Sequence, residues 1–151
     1  MLMFLLYVGK ERFAIETEHA NEVLPRVQLK EMLNAPQYVA GLLNFGGISV
    51  PVIDLCSLIA KRPSADCLHS RIILFKFQNE SRECLVGLMA EKITQAIQHE
   101  RPDFIDSGIK VPGAPYLDGI YTDKEGVIQF IIMEELFAMI KKDLFTDTRH
   151  E

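Results

Sequence analysis

The chain has 151 residues, 48% of them apolar and 25% charged, and its 16 basic and 21 acidic side chains leave a net charge of −5. That balance excludes a disordered chain and a basic face built to neutralise nucleic-acid phosphates. A single domain of this length buries roughly two-thirds of its unfolded surface, so its core needs neither disulfides nor a metal. No stretch approaches the ~18 uncharged apolar residues of a membrane-crossing helix.

Met1 to Val8 is wholly apolar. No basic segment precedes it, Lys10, Glu11 and Arg12 follow at once, and no small-residue cleavage site comes after. It reads as a buried strand and not as a signal peptide. Gly9 to Arg12 forms a turn, and Phe13 and Ile15 then share one face of a second strand. Glu18 to Val23 reads as a short helical turn. Val39 to Phe45 and Ile48 to Ile53 are apolar runs punctuated by Gly46-Gly47. Asp54 is a good N-cap for a short helix carrying Leu55, Leu58 and Ile59, which Arg62-Pro63 stops. Ile72 to Phe77 and Cys84 to Met89 flank a polar tip, Gln78 to Ser81, as a hairpin. Arg101 to Pro115 holds three prolines and two glycines and reads as a long loop. Leu117 to Tyr121 and Val127 to Ile132 flank Thr122 to Gly126 as a further hairpin. Met133, Leu136, Phe137 and Ile140 then mark one face of a helix, with Glu134 and Glu135 in its first turn and Lys141 and Lys142 in its last. Residues 146–151 read as a flexible tail.

The most informative feature is an internal repeat. Ala35-Pro36 leads to Tyr38 and Gly41, as Ala114-Pro115 leads to Tyr116 and Gly119. A turn glycine (Gly47 or Gly126), an apolar strand and a short amphipathic helix follow in both. Upstream, each half has a hairpin and then an acidic, partly helical crossover, with Glu22-Val23-Leu24 lying where Gln95-Ala96-Ile97 lies. Five short strands per unit can curl into a small barrel that hides most of its edges, and two such barrels packed together bury a further apolar layer. The expected fold is mostly β, a single domain over 1–151 made of two intertwined five-stranded barrel halves, roughly 15–80 and the remainder, with short helices.

No catalytic set emerges. His19, His69, His99 and His150 are scattered, and the close pair in Cys67-Leu68-His69 lacks the paired spacings of a zinc site, so neither metal nor cofactor is expected. Cys56 lies on the apolar side of the short helix and reads as a core thiol. Three cysteines without a C-x-x-C spacing fit reduced thiols in the cytoplasm. No G-x-S-x-G, Walker or G-x-G-x-x-G motif is present. The chain reads as a binding module and not as an enzyme. A small-barrel binder of nucleic acid or oligosaccharide would need a basic, aromatic-lined face, which a chain with no Trp and a charge of −5 does not offer.

The stretch Pro36-Gln37-Tyr38-Val39-Ala40-Gly41-Leu42-Leu43-Asn44-Phe45-Gly46-Gly47-Ile48-Ser49-Val50-Pro51-Val52-Ile53-Asp54-Leu55 resembles the signature of CheW-like domains. Phe4 to Ile15 is similar to that family's opening strand pair, and Glu22-Val23 to its Glu–hydrophobic pair. Val86 to Ile93 and Tyr116 to Ile120 are similar to its second-half stretches. The resemblance implies two SH3-like β-barrel subdomains on a shared core. It implies a non-enzymatic cytoplasmic adaptor that couples the tip of a methyl-accepting chemoreceptor to the regulatory domain of a CheA-type histidine kinase. It implies no membrane insertion and leaves room for weak self-association.

By the same resemblance, Glu22 matches an acid tied to receptor binding. Gly41 matches the glycine where a side chain would obstruct the receptor groove, and Asn44 the signature asparagine. The signature arginine falls at Gly46, so Asn-x-Arg-Gly has become Asn44-Phe45-Gly46-Gly47. That departure raises the alternative of an adaptor in a surface-sensing or second-messenger pathway with an altered receptor contact, for which Phe45 would be an apolar anchor unless it belongs to the core. On this reading Gly41→Asp weakens receptor binding with the fold intact, and Gly46→Arg is tolerated.

Overall fold

The computed structural model describes residues 2–65, 69–98, 103–106, 108 and 113–145, with the backbone alone for 95–98. The strands and helices in chain order are β1 (Leu2–Val8), β2 (Glu11–Glu16), β3 (Ala20–Pro25), β4 (Val39–Phe45), β5 (Ile48–Asp54), α1 (Leu55–Ala60), β6 (Arg71–Asn79), β7 (Arg82–Ala90), β8 (Lys92–Gln98), β9 (Leu117–Asp123), β10 (Gly126–Ile131) and α2 (Met133–Leu144). Two five-stranded sheets result, ordered β3-β6-β7-β5-β4 and β8-β1-β2-β10-β9. The expected tail at 146–151 lies outside the described residues, as do Cys67 and Leu68.

The two orders are one order. Matching β3 with β8, β6 with β1, β7 with β2, β5 with β10 and β4 with β9 superimposes them strand for strand. Each sheet contains one parallel pair, β5 with β7 or β10 with β2. The repeat therefore has a specific geometry. Each half of the chain gives its first hairpin to one sheet and its next three strands to the other. The crossings happen in the short step Thr17-Glu18-His19 and at the single residue Glu91, so the change of sheet comes after β7. Local hydrogen bonds repeat as well: Asp54 N–H donates to the Tyr38 carbonyl at 2.8 Å, and Ile132 N–H to the Tyr116 carbonyl at 2.7 Å.

The continuous apolar runs follow from burial on both faces. In β1, Met3 and Leu5 join a small cluster with Ala14, Phe104, Ile128 and Phe130 on one side of their sheet. Phe4, Leu6 and Val8 point the other way, into a large layer shared by both sheets and both helices. β6 behaves alike, with Ile72 and Leu74 in the other sheet's own cluster and Ile73, Phe75 and Phe77 in the shared layer. α2 enters that layer through Met133, Leu136, Phe137 and Ile140, the stripe its spacing marks out.

Two expectations are corrected. Glu18 to Val23 is not a helical turn: a tight turn, with Ala20 N–H donating to the Thr17 carbonyl, leads into β3, which pairs antiparallel with β6. The matching crossover in the second half is likewise a strand, β8, paired with β1. In both places the ladder to a neighbouring strand outweighs a weak helical preference. The long loop from Arg101 is pinned where Ile105 bridges Ile120.

Two polar clasps hold turns in place, one between the sheets and one within a sheet. Glu91, with its side chain 11% exposed, accepts from Arg62 at 2.7 and 3.1 Å, from Gly9 N–H at 2.7 Å and from Ala65 N–H at 2.6 Å. It thereby joins the β1–β2 turn to the segment after α1. Buried Arg12 grips the β9–β10 turn, donating to both Asp123 oxygens and to the Gly126 carbonyl. The Arg62 hydrogen bonds bring the Glu91 carboxyl from the ordinary 4.5 down to about 2, and Arg12 brings Asp123 from 3.8 to about 2.

Both carboxyls ionise more readily in the folded chain than in the unfolded one. Their stabilisation is complete above the ordinary carboxylate range and is lost as pH falls towards 2. Denaturant midpoints measured from pH 6 down to pH 2 are expected to fall mainly below about pH 4.5, with a shallower fall in Glu91→Gln. A profile that is flat across that window in the native chain contradicts the clasp.

Candidate functional site

Four of the five positions singled out by resemblance share one hairpin. Gly41, Asn44 and Phe45 lie on β4, and Gly46 lies in the turn to β5. Glu22 is exposed on β3, the opposite edge of the same sheet, with β6, β7 and β5 between them.

The turn is a two-residue hairpin loop. Phe45 pairs with Ile48, and Gly46 and Gly47 have φ of 59° and 89°. Both positive values are what a type I′ loop requires, which is why glycine suits both places. Asn44 locks the loop by accepting from Gly47 N–H at 2.9 Å through its side-chain oxygen. A Cβ at Gly46 would meet nothing within 4 Å, so the position is spatially open and conformationally restricted. Phe45 packs half-buried against the sheet's own cluster, while Ile48 beside it is 55% exposed. From Val39 to Ile53 the hairpin carries no charged residue.

Gly41 has a different reason for being glycine. Leu42 N–H donates to the Lys30 carbonyl at 2.7 Å, and Lys30 N–H to the Leu42 carbonyl at 2.9 Å, so the connector from β3 crosses tightly against β4. A Cβ at Gly41 would sit 2.6 Å from that Lys30 oxygen and 3.0 Å from Leu29 Cβ. Gly119 repeats the arrangement beneath Ile105. Position 41 therefore serves the fold, and the expectation that Gly41→Asp leaves it intact is corrected.

Asp54 and Cys56 are structural, as their sequence context suggests. Asp54 caps α1 through Cys56 N–H at 3.0 Å and also accepts from the Ser64 N–H and hydroxyl. Burial pushes the Cys56 thiol above its ordinary range, which leaves it a poor nucleophile. An open groove of about 1050 Å³ runs between the end of β3 and the start of β4, past Val27, Gln28, Gln37, Ala40 and Arg71, and it includes none of the five singled-out positions. The Tyr38 hydroxyl donates to Asp143 at 2.6 Å, tying β4 to the end of α2, a contact that nothing in the sequence spacing announces.

The family model for the CheW-like domain matches residues 2–141. A curated relative, "Probable chemotaxis protein CheW" of Rhizobium etli, is 23% identical over 133 residues, which cover 87% of this chain and 83% of that protein. Among solved structures, the crystal structure of the scaffolding protein TtCheW from Thermoanaerobacter tengcongensis superimposes with a TM-score of 0.77 at 18% identity, covering 97% of this chain and 98% of that one.

Two substitutions separate the glycine roles. Gly41→Ala is expected to destabilise the protein by roughly 2–4 kcal/mol, through the clash with Lys30 and an unfavourable backbone conformation. Gly46→Arg is expected to fold, at a cost of about 1–2 kcal/mol from its left-handed backbone alone. Chemical denaturation of both checks the ranking, and an equal cost at the two sites contradicts it.

Proposed function

The chain belongs to the CheW-like domain family, and we propose that it works as a scaffold coupling chemoreceptors to a CheA-type histidine kinase in the cytoplasm. The observation that carries this reading is the family match across nearly the whole chain, on a fold whose buried charged residues among those described, Arg12 and Asp54, are spent on a clasp and a cap. Members of this family are scaffolding proteins and not enzymes. Whatever signal such a chain transmits, it transmits by contact.

On this reading the kinase's regulatory domain docks against one sheet, and the helical receptor tip lies in a groove, an arrangement driven by apolar contact. Glu22, Gly41, Asn44, Phe45 and Gly46 are the proposed partner-contact positions, Glu22 at one edge of the sheet and the other four at the opposite edge. Gly41 acts there indirectly, by keeping the Leu29–Lys30 backbone close to β4. Gly46 supports a second reading, that of an adaptor in a non-motility pathway. The hairpin tip offers Ile48 and the edge of Phe45 in place of a guanidinium, so it cannot grip a carboxylate with a bidentate fork.

Purified chain mixed with a receptor signalling-tip fragment and a kinase regulatory domain is expected to bind both. Glu22→Lys, at an exposed strand edge, is expected to weaken receptor binding about tenfold while leaving kinase binding and melting temperature unchanged. A folded native chain that binds neither partner in a direct binding assay would sink the adaptor reading.

A further inference from the structure

Away from the hairpin, three side chains converge with the chemistry of a ligand sphere. Glu18 and His19 occupy the short step between β2 and β3, and Glu134 lies in the first turn of α2. Their carboxylate oxygens and imidazole nitrogen all lie within 4.8 Å of one another. All three side chains are exposed, so small rotamer changes close the group onto one ion at the ~2.0–2.2 Å of zinc–nitrogen and zinc–oxygen bonds.

The group is more than an acidic patch, because an imidazole stands in it and is held in place. The His19 carbonyl accepts from Lys76 N–H at 3.1 Å, and the ring packs edge-on against Phe137, one turn along α2 from Glu134. The Glu18 carboxylate approaches the His19 ring only to 3.9 Å, beyond hydrogen-bond length, and among the described residues neither the His19 nitrogens nor the Glu134 carboxylate has a hydrogen-bond partner. The ring lone pair and the two exposed carboxylates thus offer three ligand atoms that can turn onto one cation in place of water. A groove beside the group is lined by Lys76 and Glu83, whose opposite charges largely offset each other there.

We propose that Glu18, His19 and Glu134 form a binding site for a divalent transition-metal ion such as zinc, with water completing the coordination. A mixed nitrogen and oxygen donor set suits zinc, nickel or cobalt and discriminates against magnesium and calcium, which take oxygen ligands. The ion would bind the β2–β3 step, where the chain passes from one sheet to the other, to the helix that seals the shared layer.

Calorimetric titration of the full chain with zinc is expected to show one saturable site. Zinc, and not magnesium, raises the melting temperature, because an ion held only by the native state stabilises it. His19→Gln and Glu134→Gln each lower zinc affinity by about tenfold or more and remove the thermal shift, while both metal-free variants still fold. Cobalt bound to the native chain gives the visible absorption of a low-coordinate site, absent in His19→Gln. The proposal is overturned by the absence of saturable zinc binding at micromolar concentrations. It is equally overturned by binding that persists in folded His19→Gln, which would place the ion elsewhere.

Discussion

The apolar layer between the two sheets is the constraint on which the rest of the molecule depends. Neither sheet is assembled from one stretch of chain, since each takes its first hairpin from one repeat and three further strands from the other. The strands that cross first are the edge strands β3 and β8, and each pairs with a hairpin strand of the other half, β3 with β6 and β8 with β1. The shared layer, from Phe4 in β1 through Phe75 in β6 to Phe137 in α2, makes the two sheets one cooperative unit. A core substitution in that layer is therefore felt in both halves, whereas one in the cluster around Ile128 or around Val52 is felt first in its own sheet.

Polar groups in this molecule work at the places where apolar packing has no reach. Glu91 stands where one residue must carry the chain from β7 to β8, and it gathers the backbone N–H groups of two other segments there. Arg12 does similar work across the parallel β2–β10 pair, where the β9–β10 turn would otherwise stand free. Asp54 spends its carboxylate on a helix cap and on Ser64. These are structural employments, and they leave the chain's outward chemistry to its hairpin edges and grooves, as a scaffold requires.

Much of this was legible in the sequence, for reasons that can be named. Runs such as Met3 to Leu6 and Ile72 to Phe75 leave no polar face, which implies burial on both sides and hence a layer between two sheets. The Ala-Pro, Tyr-x-x-Gly repeat marks the two edge hairpins because each tyrosine carbonyl and each close-approach glycine has a fixed place in the unit. β3 was illegible, since Glu22 and Val23 alternate too weakly to announce a strand, and only pairing with β6 makes one. Intertwined halves were expected, but which strands they exchange was hidden, because a repeat shows that two units are alike and not which strands they share. The resemblance picked out Gly41 and Gly46 alike, but only coordinates separate a glycine held by a crossing backbone from one held by a turn.

The same distinction bears on how this scaffold differs from its family's pattern. An arginine at a type I′ position strains the backbone wherever it occurs, so a chain that keeps one there gains something from it beyond the fold. With glycine at position 46 that strain disappears, the loop reaches its preferred geometry, and Asn44 still closes it through Gly47. What remains at the tip is an uncharged surface centred on Ile48, next to the one strand edge that the Lys30 connector already half covers. A partner meeting that surface gains from apolar complementarity and little from long-range charge, and its association is correspondingly insensitive to salt. The departure from the signature thus changes the kind of contact the hairpin can make while leaving the fold that presents it unchanged.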